Sequence, residues 1–224
     1  MTEKTDFPRI GPMATPMAFV SDIHGNLQAL DAVLGVLRRR EITTVIACGD
    51  HLLGGPDPLG VWRRLQEIEA RCCRGVSDRA VAIVDPSALT PRNAQDEARL
   101  EAFRQTQETV GELVRKQLSQ LPESIRIPMI DGREVVAVHG SPADPTVEMS
   151  HDLSDDELEA RIDDDPADII VCGGTHVPFR RDVHEWAVIN VGSVGQAPEG
   201  RNAHFTVLSP RMDGIEVHQD FVEY

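Results

Sequence analysis

Short apolar runs alternate along this chain with longer stretches in which apolar residues recur every three or four positions. The first run is Met17-Ala18-Phe19-Val20. Over 26–40 it gives way to Leu27, Leu30, Val33, Leu34 and Leu37, a helical stripe. A second run at 45–48 precedes a helical stretch over 58–70. Residues 80–84 read either as a short strand or as an extended connection. The segment 93–120, rich in Glu, Gln, Arg and Leu and closed by Leu121-Pro122, predicts a long helix with Gly111 as a point of interruption. From 125 the texture changes. Strand-like residues at 125–130 and 134–138 flank Asp131-Gly132, the signature of a hairpin. Ser154-Asp155-Asp156-Glu157 predicts the capped start of a short helix reaching 162. Further strands are expected at 169–172, 186–191, 205–208 and 215–217. Strands alternating with helices predict βαβ units and a largely parallel sheet. Residues 17–224 read as one domain, and the polar, proline-bearing residues 1–16 as a flexible lead-in.

Length and charge narrow the picture. A chain of 224 residues suffices for one large α/β domain and buries about 70% of its unfolded surface without disulfides. The four cysteines, Cys48, Cys72, Cys73 and Cys172, lack C-x-x-C spacing and read as buried thiols in a reducing cytoplasm. No segment approaches the ~18 consecutive apolar residues of a membrane span, and no signal core precedes 17, so a cytoplasmic protein with no membrane partner is expected. A net charge of −15 argues against a sequence-independent grip on long nucleic acid. It does not oppose a small phosphate ester held by a metal ion. The acidic stretch 152–168 reads as a solvated helical face.

Chemistry concentrates where apolar runs end. Val20-Ser21-Asp22-Ile23-His24-Gly25-Asn26 delivers a carboxylate and an imidazole from one strand end, two residues apart and therefore on one side, where both can grip one ion. Three further runs end in ligand-type residues: Val45-Ile46-Ala47-Cys48-Gly49-Asp50, Val135-Val136-Ala137-Val138-His139-Gly140, and Ile169-Ile170-Val171-Cys172-Gly173-Gly174-Thr175-His176.

In this order, with Ser141-Pro142, Thr175-His176-Val177-Pro178 and Asn190-Val191-Gly192-Ser193, the segments resemble the calcineurin-like metallophosphoesterase superfamily, in its compact bacterial phosphoesterase and phosphodiesterase branch. The resemblance implies a four-layer α/β/β/α sandwich of two mixed sheets flanked by helices. It also implies two metal ions at strand carboxyl ends, sharing a bridging aspartate. Carried over, the first ion takes Asp22, His24, Asp50 as the bridge, and His176. This donor set suits a divalent transition metal: Mn, Fe, Zn or Ni. The second takes Asp50 and His139, but its two other family ligands are replaced by Val76 and Gly174, which have no side-chain donor. Ser77 stands where the family has a catalytic histidine, and Asp78 matches the acid that orients it. One ion is therefore expected, and a second that is weak, empty or rebuilt.

His51, directly after Asp50, is a candidate substitute ligand or else an exposed loop histidine. Asn26 at a helix start is a candidate phosphate contact or simply an N-cap. Arg180, beside Arg181, reaches a phosphate or else forms a solvated pair. The resemblance implies hydrolysis of a small phosphate ester or nucleotide, the metal activating the attacking water. Asp50, His139, Ser77 and Asp78 are then the candidate catalytic residues. The alternative is a catalytically degenerate protein of the same fold that binds one metal and a phosphorylated ligand. An edge strand in the C-terminal half is compatible with a homodimer.

Overall fold

In the computed structural model, which describes residues 11–224, the first apolar run forms β1 (Met17–Val20). It pairs in parallel with β2 (Thr44–Cys48), which pairs in parallel with β3 (Arg71–Cys73). The connections are α1 (Leu27–Arg39) and α2 (Pro58–Glu67), as the alternation predicts. Antiparallel β9 (Asn202–Arg211) and β10 (Gly214–Glu223) complete this sheet, in the order β10-β9-β1-β2-β3. A second sheet holds the predicted hairpin, β4 (Ser124–Pro128) and β5 (Glu134–Val138), with β6 (Ile169–Cys172), β7 (Phe179–Val183) and β8 (Trp186–Asn190), in the order β4-β5-β6-β8-β7.

The two sheets pack face to face, and strand alternation sorts their residues into layers. Met17, Phe19, Ile46 and Cys48 meet Ile127, Val135, Ala137, Ile169 and Val171 between the sheets. Ala18, Val20, Val45 and Ala47 face outward against Leu30, Leu37 and Trp62 of the helices and against Phe103 and Leu118 of α4 (Ala94–Ser119). On the far side, Val136, Val138 and Ile170 pack on Leu158 and Ile162 of α5 (Asp155–Ile162). This is the expected α/β/β/α sandwich. Both faces of each sheet are covered, so β1 and β6 are buried at every position.

Several boundaries differ from the sequence reading. Residues 80–84 belong largely to a helix, α3 (Val76–Ile83), and β3 and β7 lie outside the predicted strands. Gly111 adopts φ 71° and ψ 176° and breaks α4 where the sequence suggested. Ser154 and Glu157 form the predicted reciprocal cap on α5. Within the expected lead-in, residues 1–10 lie outside the described residues. Met13, by contrast, is tied to the sheet: its N–H donates to the Pro128 carbonyl at 2.8 Å and its carbonyl accepts from Ile130 N–H at 3.1 Å. Among the described residues no helix is long and apolar enough to cross a membrane.

All four cysteines are free and buried. Burial pushes the Cys172 thiol up to about 12, and Cys48 rises through its hydrogen bond with Cys73 and through burial. Thiolate being the nucleophile, the folded protein is expected to resist iodoacetamide at neutral pH. Intact-mass measurement should show alkylation only after denaturant is added.

Candidate metal centre

The carboxyl ends of β1, β2, β5 and β6 meet at one edge of the sandwich. The loops that follow them are stitched together by backbone hydrogen bonds. Asp22 N–H donates to Gly49 O, His24 N–H to Asp50 O, and Gly25 N–H to His51 O, at 2.8–3.1 Å. The 191–196 loop closes over the same point, with Gly195 N–H and Ser193 Oγ both donating to the Asp22 carbonyl. Asp22, His24, Asp50 and His176 all sit at positive φ, between 50° and 63°. Four of the eight such non-glycine residues among those described are therefore candidate ligands. The other four, Glu41, Glu69, Asp163 and His184, close helices or a hairpin turn, where this conformation is common. Left-handed backbone costs roughly 1–2 kcal/mol per residue. Its clustering at this edge singles the site out as a candidate functional one.

The histidines share one device. His24 Nδ1 meets Leu53 O at 2.7 Å, His139 Nδ1 meets Cys48 O at 2.8 Å, and His176 Nδ1 meets Gln196 O at 3.0 Å. A carbonyl only accepts, so each Nδ1 carries a proton, and in its neutral form each ring turns its Nε2 lone pair inward. His24 Nε2 and His176 Nε2 face each other at 3.2 Å. Asp22 Oδ1 lies 3.2 Å from His176 Nε2 and 3.6 Å from His24 Nε2. With both rings neutral these are three acceptors converging with no donor among them, and Asp22 Oδ1 is buried without a hydrogen-bond partner. Donors about 2.0–2.2 Å from one ion stand roughly 3.0–3.5 Å apart; two of the three distances fall in that range and the third, 3.6 Å, lies just beyond it. The residues present fit a divalent cation.

Two groups of donors result: Asp22 with His24 and His176, and Asp22 with Asp50 and His139. The expected bridge was Asp50, but here Asp22 belongs to both groups. Asp50 is drawn toward the start of α3, where Ser77 N–H donates to its Oδ1 at 2.8 Å, and His139 Nε2 lies 3.5 Å from the same oxygen. A Cβ at Gly75 would stand 2.1 Å from Asp50 Oδ1, so only glycine lets the carboxylate lie there. Burial acts to raise the Asp22 carboxyl, but whenever no ion is bound the neighbouring His176 and His24 in their protonated form, with the charge of His139, override it and hold the group well below the usual carboxylate range. Burial raises Asp50, aided by the charges of Asp78 and Asp22 and opposed by His139. His139 rises despite burial, because Asp50 and Asp22 favour the imidazolium. A site that pulls protons onto imidazoles in this way favours cations generally.

The other sequence candidates fall outside this cluster. His51 is not the exposed loop histidine of one alternative, and it lies outside both donor groups. It is fully buried, and its Nε2 lies 3.0 Å from Cys73 O and 3.6 Å from Asp78 Oδ2. Asp78 uses both oxygens on backbone: Oδ2 accepts from Asp50 N–H at 2.8 Å and Gly75 N–H at 3.0 Å, and Oδ1 from His51 N–H at 2.9 Å. These bonds position the Asp50 turn. Asn26 caps α1 by accepting from Ala29 N–H, and its amide donates to Gly195 O and Tyr224 Oη, leaving no donor for phosphate. Arg180 is exposed on β7 beside Asp182 at 3.8 Å, while Arg181 ties down the carbonyl of His151. Val76 points outward, 46% exposed. Ser77 Oγ is buried beside Asp50 without a hydrogen-bond partner. Motif reading missed the carbonyls of Leu53, Cys48 and Gln196 as orienting groups, since backbone acceptors leave no residue signature.

Residues 16–213 match the family model described as the calcineurin-like phosphoesterase superfamily domain. An uncharacterized protein of Methanocaldococcus jannaschii is 27% identical over 226 residues, spanning 93% of this chain and 87% of that protein. A hypothetical protein of Pyrococcus horikoshii OT3 superposes with a TM-score of 0.78 at 23% identity, covering 93% of this chain and 88% of its own. A metallophosphoesterase of Sphaerobacter thermophilus does so with a TM-score of 0.70 at 23% identity, covering 94% and 90%. These two superpositions establish likeness of fold.

Proposed function

We propose, because this chain belongs to the calcineurin-like phosphoesterase superfamily, that it is a divalent-metal-dependent hydrolase of small phosphate esters or nucleotides. The observation that carries this reading is the convergence of His24 Nε2, His176 Nε2 and the unpartnered Asp22 Oδ1 within 3.2–3.6 Å. These three residues would hold one ion, and Asp50 and His139 would join Asp22 around a second. A divalent transition metal supplies Lewis acidity at a phosphoryl oxygen and lowers the pKa of water at neutral pH. The residues of the chain do the rest. Backbone carbonyls fix the imidazoles, so no reorganisation is needed when substrate arrives. Asp78 holds the Asp50 turn. Ser77 Oγ is a buried hydroxyl with no hydrogen-bond partner. His176 is the most exposed of the cluster's histidines, its side chain 24% accessible, so phosphate enters from that side. A bound divalent ion would supply the positive charge that offsets the acidic surface toward phosphate.

With Mn²⁺ added, hydrolysis of bis(p-nitrophenyl) phosphate or p-nitrophenyl phosphate is expected, abolished by chelator and restored by Mn²⁺. Metal-loaded protein that turns over neither ester would favour the binding-only reading, which Val76, Ser77 and Gly174 motivate.

A further inference from the structure

The second donor group is short of ligands. It holds Asp22, Asp50 and His139, and Asp22 is shared with the first group. Three protein donors, one of them shared, are few for an ion that takes four to six. Val76 points outward and His51 is turned to the Cys73 carbonyl, so neither makes up the shortfall. Gly174 lies one hydrogen bond from the shared carboxylate, its N–H donating to Asp22 Oδ2 at 2.9 Å. A Cβ built on Gly174 would meet Glu148 Cγ at 3.1 Å, His139 O at 3.6 Å and Glu148 Cδ at 3.7 Å. The space above Gly174 is therefore taken by the stem of a glutamate from a different loop.

That glutamate is carried on anchored backbone. Met149 is fully buried in the cluster beneath α5. The Asn190 amide donates to Gly173 O at 2.8 Å and to Met149 O at 3.4 Å, joining the Gly173-Gly174 turn to the residue after Glu148. On the other side, the carbonyls of Pro145 and Val147 pack against Gly140, each 2.7 Å from where its Cβ would be, directly after His139. The main chain on both flanks of Glu148 is thus locked to the segments that carry His139 and His176, while Glu148 itself is exposed.

From this juxtaposition we infer that Glu148 supplies the missing donor of the second ion site, its carboxylate replacing the side chain that Gly174 lacks. The inference rests on the reading that this edge binds divalent ions. It makes the second site rich in oxygen, with Asp22, Asp50 and Glu148 around His139, a set that suits Mn²⁺.

The test is Mn²⁺ stoichiometry of the full-length protein and of Glu148→Gln and Glu148→Asp, by titration and low-temperature electron paramagnetic resonance. The wild type is expected to bind two ions per chain with an exchange-coupled signal. Glu148→Gln should retain one ion with an uncoupled six-line signal, its second affinity lowered at least about 100-fold, the upper end of the cost of losing even an outer partner. Glu148→Asp should keep the coupled signal at weaker affinity. Two ions bound equally tightly by wild type and Glu148→Gln would overturn the role of Glu148 and leave the metal site standing. So would one ion in both. No ion in the wild type would overturn the metal reading and the role of Glu148 with it.

Discussion

Asp22→Asn is expected to abolish tight divalent-metal binding and to lower phosphodiester hydrolysis by about 10³-fold or more, the worth of several kcal/mol of Lewis-acid stabilisation. Asp22 is the one residue common to both donor groups, so its loss empties both. The substitution is nearly isosteric, and the carbonyl of asparagine still accepts from Gly174 N–H, now met by Asp22 Oδ2 at 2.9 Å. What replaces the unpartnered Oδ1 is an amide that donates, aimed at His24 and His176, whose Nε2 atoms accept. That amide satisfies the histidines in place of the cation. The variant should therefore fold, with an unchanged circular dichroism spectrum, and fail specifically in metal content and turnover. Elemental analysis and the chromogenic assay on the same sample read both. Wild-type metal content in Asp22→Asn would mean that the ions sit elsewhere.

The second large effect is on stability. Asp78→Ala removes the acceptor of three backbone donors, Asp50 N–H, His51 N–H and Gly75 N–H, from a fully buried site. Each buried donor left unsatisfied costs about 1–3 kcal/mol, and partial relaxation brings the expected total to roughly 4 kcal/mol, against a folding free energy of about 5–15 kcal/mol. The urea midpoint should fall accordingly with little change in slope. Asp78→Asn keeps one acceptor oxygen and should lose less. A midpoint shift for Asp78→Ala below about 1 kcal/mol would show that the Asp50 turn holds itself without the bracket. Because this turn places Asp50, the variant should also bind metal more weakly, an indirect consequence that follows the stability loss.

The parts of this molecule legible in its sequence are those fixed locally. Met17–Val20 ends in Asp22 and His24, and the hydrophobic run alone places both at a strand's carboxyl end. Asp131-Gly132 and Ser154/Glu157 specify a turn and a cap through contacts two or three residues apart. β3 escaped notice because three residues, Arg71-Cys72-Cys73, are too few to show alternation. β7 was hidden by Arg180, Arg181 and Asp182, which an edge strand tolerates on its exposed face. Residues 76–83 carry β-branched residues but begin at a bracketed turn, and packing against α4 makes them helical. The site divides in the same way. Which residues converge was readable from order and spacing. Which way each side chain turns was not, because distant backbone decides it. Cys73 O captures His51, Tyr224 and Gly195 occupy Asn26, and Ser77 N–H holds Asp50 Oδ1 while Asp22 lies within reach of both donor groups. Glu148 belongs to no motif and is brought over Gly174 by the anchoring of Met149 on one flank and of Pro145 and Val147 on the other.

The central claim is that this edge of the sandwich is a metal centre built on His24, His176 and Asp22. Anomalous diffraction from a crystal of Mn²⁺-loaded protein tests it most directly. A peak is expected within about 2.3 Å of His24 Nε2, His176 Nε2 and an Asp22 carboxylate oxygen together. Bound manganese with its peak elsewhere, and His24 and His176 still facing each other across unfilled density, would contradict it.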